Sequence, residues 1–496
     1  MRIAMITEGT YPHQFGGVSV WCDQIIRGMA GYDFQVVALV GTGSEPVVWD
    51  VPENVSALTT MPLWGALPAP PRDHRRSAFP TRLMHQFVDC LLDPLAPSTS
   101  SFADVLLGLF AYAQRGNLSA ALSSTRAVRM LSTAWQDRWP YADQPMPTVH
   151  DAVTAMQLIE HCLRPLSYKL PGPADVTHVA TNGLGVLPAL MAKWQYETPM
   201  VVSEHGIYLR EQYLHGPNLP YPWAVKSLYL GFLRQVCALG YQEADTIAPC
   251  NVYNRRWEER LGADPARIKT VYNGVDPVNF PVADVEPEQP TISWAGRIDP
   301  IKDLGTLLSA FAIVHQDMPQ ARLRLFGSPP KGRQAYLEHC KEMVGQFGID
   351  DAVTFEGHVS KVREAYGAGS IVALSSVSEG FPYSLIEAMT CGRTCVATDV
   401  GGVPEAVGDT GLVVPPGSPG RFAEACLTLL SDDELRRKYA AAARARALEF
   451  FTIDGAITKF DEIYGFLALR QPLPTVPPEP EDDELSGDQP AFEAAV

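Results

Sequence analysis

No uninterrupted apolar stretch of this chain approaches the roughly 18 residues that a membrane-spanning helix needs. The richest, residues 103–113, already contains Asp104, so the chain is expected not to cross a bilayer by itself. No CxxC pair occurs among nine cysteines, an odd number scattered from Cys22 to Cys426, which argues against a disulfide framework and against a thiolate zinc site. Positive charge is scarce: 39 Lys and Arg stand against 56 Asp and Glu, a net charge of −17. A polyanion gains no counterion release on such a surface, so no nucleic acid partner is expected. The N-terminus, Met1 to Glu8, has one basic residue and an apolar run too short for a signal segment; it reads as the first strand of a cytoplasmic protein.

What is present is a globular composition, 46% hydrophobic and 19% charged, in a chain of 496 residues. At about 150 residues per domain, that length suggests two or three domains. Apolar runs of strand length alternate with segments of helical period, the pattern of a parallel sheet covered on both faces. Strands are expected at residues 3–7, 35–40, 175–181, 200–204, 246–249 and 268–272, then at 291–295, 321–326, 353–356, 371–374, 394–398 and 412–414. Val18, Trp21, Ile25 and Met29 share one stripe of the first crossover helix. The expected fold class is α/β, with two doubly wound, Rossmann-like domains facing a cleft.

The strand signal disappears from about residue 64 to residue 173, where proline-rich stretches and helical segments such as 119–137 and 151–167 indicate a helical insertion in the first domain. Its basic cluster, Arg72, His74, Arg75, Arg76 and Arg82, reads as a solvated loop in preference to an anion-binding surface. Residues 275–290 hold four prolines and four acids without a base, as an exposed connector does, and place the domains at 1–279 and 280–455. A helix at 456–470 is expected to cross back to the first domain. Beyond it, residues 471–496 carry six prolines, seven acids and no Lys or Arg, a composition predicting a disordered tail. Seven of the seventeen net negative charges therefore say nothing about the ligand.

The richest chemistry follows the apolar strand at 371–374. Ser375 to Glu387 begins with small polar residues, turns at Gly380 and enters a helix, which puts unpaired backbone N–H groups at the carboxyl edge of a sheet, where an anion binds. Glu379 and Glu387 are placed to address opposite ends of one extended ligand. After the strand at 291–295, Arg297 offers a planar fork and Lys302 a point charge, a pair suited to a diphosphate whose charge grows as its bond breaks. Two such cations alone would be an ordinary surface feature; their company with the Glu pair argues otherwise. In the first domain Gly16-Gly17 follows the first strand and His205 ends another, both on the side expected to face the cleft.

In this order the motifs resemble the retaining nucleotide-sugar glycosyltransferases of family four, which have the GT-B fold. Glu379 to Glu387 matches the E-x7-E motif, Gly296-Arg297 with Lys302 the phosphate clamp, and Gly401-Gly402-Val403-Pro404-Glu405 the following loop. A narrower likeness, in Glu8 to Pro12 with Gly16 to Ser19, in Glu204 to Tyr208 and in Pro300 to Asp303, is to the PelF-type glycosyltransferases of exopolysaccharide synthesis. The resemblance implies that Arg297 and Lys302 hold the donor diphosphate, Glu387 the ribose, and Glu379 and His205 the transferred sugar. It further implies that the backbone of Gly16, Gly17, Gly380, Phe381, Pro382, Tyr383 and Ser384 approaches sugar or phosphate, and that His358 and Val359 flank the base. Pro382 stands where many relatives have Gly and removes one N–H from the anion site.

The reaction so implied is retaining transfer of a hexose from a nucleoside diphosphate sugar, with UDP-glucose the expected donor, to a glycan acceptor, without metal or other cofactor. The resemblance leaves open a peripheral association with a membrane polysaccharide synthase complex. Two rivals remain: a sugar-nucleotide epimerase or hydrolase of the same fold, and a non-catalytic sugar-nucleotide-binding subunit.

Overall fold

The computed structural model describes residues 1–65, 79–93, 99–139, 143–283, 285–330 and 332–469. The basic cluster apart from Arg82, and the tail expected at 471–496, lie outside the described residues.

Strands buried on both faces belong in parallel sheets, and there are two. β1 (Arg2–Glu8), β2 (Asp33–Val40), β3 (Val55–Pro62), β4 (Val176–Val179), β5 (Met200–Glu204) and β6 (Thr246–Pro249) lie in the order β3-β2-β1-β4-β5-β6. β7 (Thr291–Ala295), β8 (Arg322–Phe326), β9 (Val353–Gly357), β10 (Ile371–Leu374), β11 (Cys395–Thr398) and β12 (Leu412–Val414) lie in the order β12-β11-β10-β7-β8-β9. All pairings are parallel, with registers such as Ile6 opposite both Val37 and Val179, and Trp294 opposite Leu325. The two orders are the same winding, because in each half the first strand pairs with the fourth. The order reverses there, and the loops leaving the carboxyl ends of those strands part to leave a crevice.

The pleat divides the first core. Ile6, Val37, Leu39 and Val202 face one side, where the helices of residues 81–163 and Trp223–Glu243 cover them. Ile3, Met5, Val36 and Val201 face the other, against the helices Gly17–Gly28 and Ile453–Ala468. The latter helix follows the second sheet in sequence but packs on the first, burying Phe460, Ile463, Tyr464 and Leu467. Four such side chains contribute on the order of 6–12 kcal/mol before the entropy of ordering the helix is subtracted.

Three expectations are corrected. Residues 268–272 form no strand: Lys269 and Val271 N–H groups donate to Ile247 and Pro249 along the edge of β6, with a single bridge at Ile268. β3 was not expected, because at the sheet edge it alternates exposed and half-buried positions and has no apolar run. The helix expected over 119–137 is two, Leu118–Leu122 and Thr125–Arg138, because Ser124 turns out of the first and accepts from Ala127 N–H to cap the second.

Candidate functional site

Pairing β7 with β10 brings together two loops far apart in sequence. Ser375 Oγ donates to the Lys302 carbonyl at 2.8 Å and Val377 N–H to the Ile301 carbonyl at 2.9 Å. Asp299 caps the single turn Pro300–Lys302 through Ile301 N–H, which aims Lys302 back over the β10 loop. There Lys302 Nζ donates to Glu379 Oε1 at 2.6 Å, and Ser376 Oγ to the same oxygen at 2.5 Å. Arg297, Lys302, Glu379 and Gly380 then line one wall of a cavity of about 170 Å³ whose other wall is Gly206, Ile207, Arg210, Glu211, Tyr253 and Asn254 of the first domain.

First-domain side chains hold the second-domain loop in place. Arg210 Nη1 donates to Ser378 Oγ at 3.0 Å, Asn251 Nδ2 to the Gly380 carbonyl at 3.1 Å, and Asn273 Nδ2 to the Phe381 carbonyl at 3.2 Å. Tyr383 Oη donates to Gln24 Oε1 at 3.1 Å. Gly380 is required by contact: a Cβ there would lie 1.6 Å from the His205 carbonyl oxygen. Gly401 is required twice over, by its φ of +57° and by the Glu379 carbonyl, 1.8 Å from where its Cβ would be. On the outer side, both Glu405 oxygens accept from Val252 N–H, at 2.8 and 3.0 Å, at the start of the helix Val252–Arg260.

Of the residues singled out in the sequence, Arg297, Lys302, Glu379 and Gly380 line the cavity together. His205 is not among the residues lining the cavity: its ring lies 4.6 Å edge-on from Trp21, and its backbone carbonyl abuts Gly380. Phe381 turns inward between Tyr272 and Phe451, and Tyr383 against Gln24 and Gly17. Pro382 caps the helix Tyr383–Thr390, on which Ser384 is half-buried and Glu387 accepts from Tyr366 Oη at 2.5 Å. Gly16 and Gly17 are exposed where the first helix begins. His358 is exposed beyond β9, and Val359 packs on the second core.

Burial sets the electrostatics. It pushes His205 down to about 4, Asn273 opposing, so the ring is neutral near pH 7. It pushes Glu387 up to about 7, the Tyr366 hydrogen bond opposing. Glu204 and Glu258, both fully buried, are each raised by burial, Glu258 further by the charge of Glu204; Tyr241 donates to Glu204. Sequence reasoning missed Arg210, Glu211, Asn251, Tyr253, Asn254 and Glu258. Arg210 stands five residues after the flagged His205 on the helix Tyr208–His215, which was the available signal. Glu258 sits among Arg255, Arg256, Glu259 and Arg260 and reads as one more solvated charge.

Among the described residues no group of three or more His, Cys, Asp or Glu is placed to hold a metal ion. Among them also, no helix is long and apolar enough to cross a membrane.

Two facing sheets of one winding, with a charged cavity between their carboxyl edges, define the two-domain GT-B fold. Residues 1–266 match the family described as a domain of unknown function (DUF3492), and residues 289–432 that described as glycosyl transferases group 1. Over 323 residues the chain is 32% identical to a D-inositol 3-phosphate glycosyltransferase of Jonesia denitrificans, covering 61% of this chain and 74% of the relative. It is 29% identical to an N-acetyl-alpha-D-glucosaminyl L-malate synthase of Bacillus anthracis over 47% of this chain and 62% of the relative. Similar solved structures include HepE of Anabaena in complex with UDP (TM-score 0.62, 16% identity, 94% of this chain and 100% of that one). Sucrose-phosphate synthase of Thermosynechococcus elongatus is as similar (TM-score 0.62, 18% identity, 95% and 100%). The chain belongs to the glycosyl transferase group 1 family and carries a first domain of the DUF3492 type.

Proposed function

We propose that this glycosyltransferase moves a hexose, with retention, from a nucleoside diphosphate sugar to a glycan acceptor in exopolysaccharide synthesis, and that UDP-glucose is the donor. The observation that carries this reading is the convergence of Arg297, Lys302 and Glu379 on a cavity walled by both domains. HepE, whose fold the chain shares, is known in complexes with UDP and with UDP and glucose, which supports the choice of donor. The exopolysaccharide role rests on the PelF-type motifs.

Arg297 and Lys302 stabilise the diphosphate as it departs, where preorganised charge is worth most. Glu379, fixed by Lys302 and Ser376, accepts from sugar hydroxyls. Glu387, with Oε2 engaged by Tyr366, offers Oε1 to the ribose. The leaving phosphate takes the acceptor proton on the face it vacates, giving retention. No metal is needed where two cations neutralise the diphosphate. Closure of the two walls excludes water, so that the acceptor is the nucleophile.

A screen of UDP-, GDP- and ADP-sugars with oligosaccharide acceptors, reading released nucleotide and product anomer, tests this. Transfer from UDP-glucose with an α product is expected. Free glucose, a β product or binding without turnover would each overturn it.

A further inference from the structure

The cavity holds one cation that neither the sequence motifs nor the mechanism above uses. Arg210 comes from the first domain, yet its Nη1 already reaches the second, donating to Ser378 Oγ at 3.0 Å, one residue before Glu379 and five before the first residue of the helix Tyr383–Thr390. Lys302 is engaged by Glu379 at 2.6 Å, whereas among the described residues neither Arg210 nor Arg297 forms an ion pair. Two guanidinium groups that form no ion pair among the described residues therefore face one cavity from opposite walls. A guanidinium is a planar fork matched to phosphate oxygens, and two of them suit a group that carries two to three negative charges. The same wall offers Arg210 only the exposed Glu211, whose carboxyl is raised by burial with His215 and Arg210 opposing, and neutral Ile207, Tyr253 and Asn254.

From this geometry we infer that Arg210 is a diphosphate ligand supplied across the cleft by the first domain. The inference rests on the reading that the cavity takes a nucleoside diphosphate sugar. It deepens that reading by making the charge of the donor the link that draws the walls together: Arg297 and Lys302 receive the diphosphate in the open site, and Arg210 reaches it only when the walls meet. The Ser378 hydroxyl holds the guanidinium in position, so Ser378 is a positioning residue.

The test is titration calorimetry of the full chain with UDP, GDP and ADP, and with the three nucleosides alone, for wild type, Arg210→Ala, Arg210→Lys, Ser378→Ala and Arg297→Ala. For the diphosphate that wild type binds, Arg210→Ala is expected to weaken affinity about 10- to 100-fold, the loss of one charge-assisted contact. Its nucleoside should bind unchanged, Arg210→Lys should recover part of the affinity, and Ser378→Ala should show a smaller loss. Melting temperatures of the variants confirm that they fold. If Arg210→Ala leaves diphosphate affinity unchanged, or weakens nucleoside equally, the inference is wrong while the function stands, provided Arg297→Ala still abolishes binding. If wild type binds none of the diphosphates, both fall.

Discussion

At the scale of single residues, charge decides function and burial decides pH response. Arg297→Ala and Lys302→Ala are each expected to lower kcat/KM about 10²- to 10³-fold, as loss of a donor to a developing anion does, with melting temperature unchanged for Arg297→Ala and lowered for Lys302→Ala, which strands the largely buried Glu379. Steady-state kinetics against nucleotide release checks this. Glu258 makes the opposite kind of prediction. Its carboxyl is raised by burial and by Glu204, so the folded state keeps a proton that the unfolded state gives up. Stability from this group is complete below the ordinary carboxylate range and is lost as pH rises toward the raised folded value. Glu258→Gln, which holds no such proton, should therefore melt close to wild type near pH 5 and higher by at least about 2 °C near pH 8. A margin that shrinks with rising pH would contradict the assignment. The sequence disclosed Arg297, Lys302 and Glu379 because they follow apolar strands directly. It concealed Arg210 and Glu258, because a charge inside a polar helix shows which way it faces only after the helix has docked.

At the scale of elements, loops join the domains through backbone rather than bulk. The Gly380 loop accepts from Asn251 and Asn273 and leaves no room for a Cβ against His205. Gly380→Ala is expected to push the walls apart and to cost about 100-fold in kcat, with the second domain folded. Circular dichroism alongside turnover separates this from unfolding; undiminished turnover would show that the approach is not needed. Buried strands were legible because both faces demand apolar residues: Met200–Glu204, Thr246–Pro249, Thr291–Ala295, Ile371–Leu374 and Leu412–Val414 have the boundaries their apolar runs give. β3 was not, since an edge strand buries little and its Thr59 and Thr60 fit a loop equally well. The inward turns of Phe381 and Tyr383 were hidden too, because a motif fixes where the backbone goes while the packing of Tyr272, Phe451 and Gln24 decides the side chains.

At the scale of the molecule, the second sheet repeats the winding of the first, and the active cleft is the meeting of two equivalent edges. On the proposed reading Arg297 and Lys302 neutralise the diphosphate in place of a metal, so transfer is expected to persist in excess EDTA and to gain less than about twofold from added Mg²⁺; abolition by the chelator would refute this. Truncation before Thr452 removes Phe460, Ile463 and Tyr464, together with the Tyr464 hydrogen bond to His178. It should leave the chain insoluble or lower the melting temperature by several degrees, and a soluble protein of unchanged melting temperature would contradict the packing. That packing also orders events during synthesis. The face of the first sheet carrying Ile3, Met5 and Val201 is covered in part by the helix Gly17–Gly28 and completed by a helix about 200 residues downstream of that sheet's last strand. At ribosomal speeds of about 5–20 residues per second, a nascent first domain waits about 10–40 s with part of its apolar face open. For that interval the growing chain is a client for chaperones, and the last helix to emerge is the one that ends its exposure.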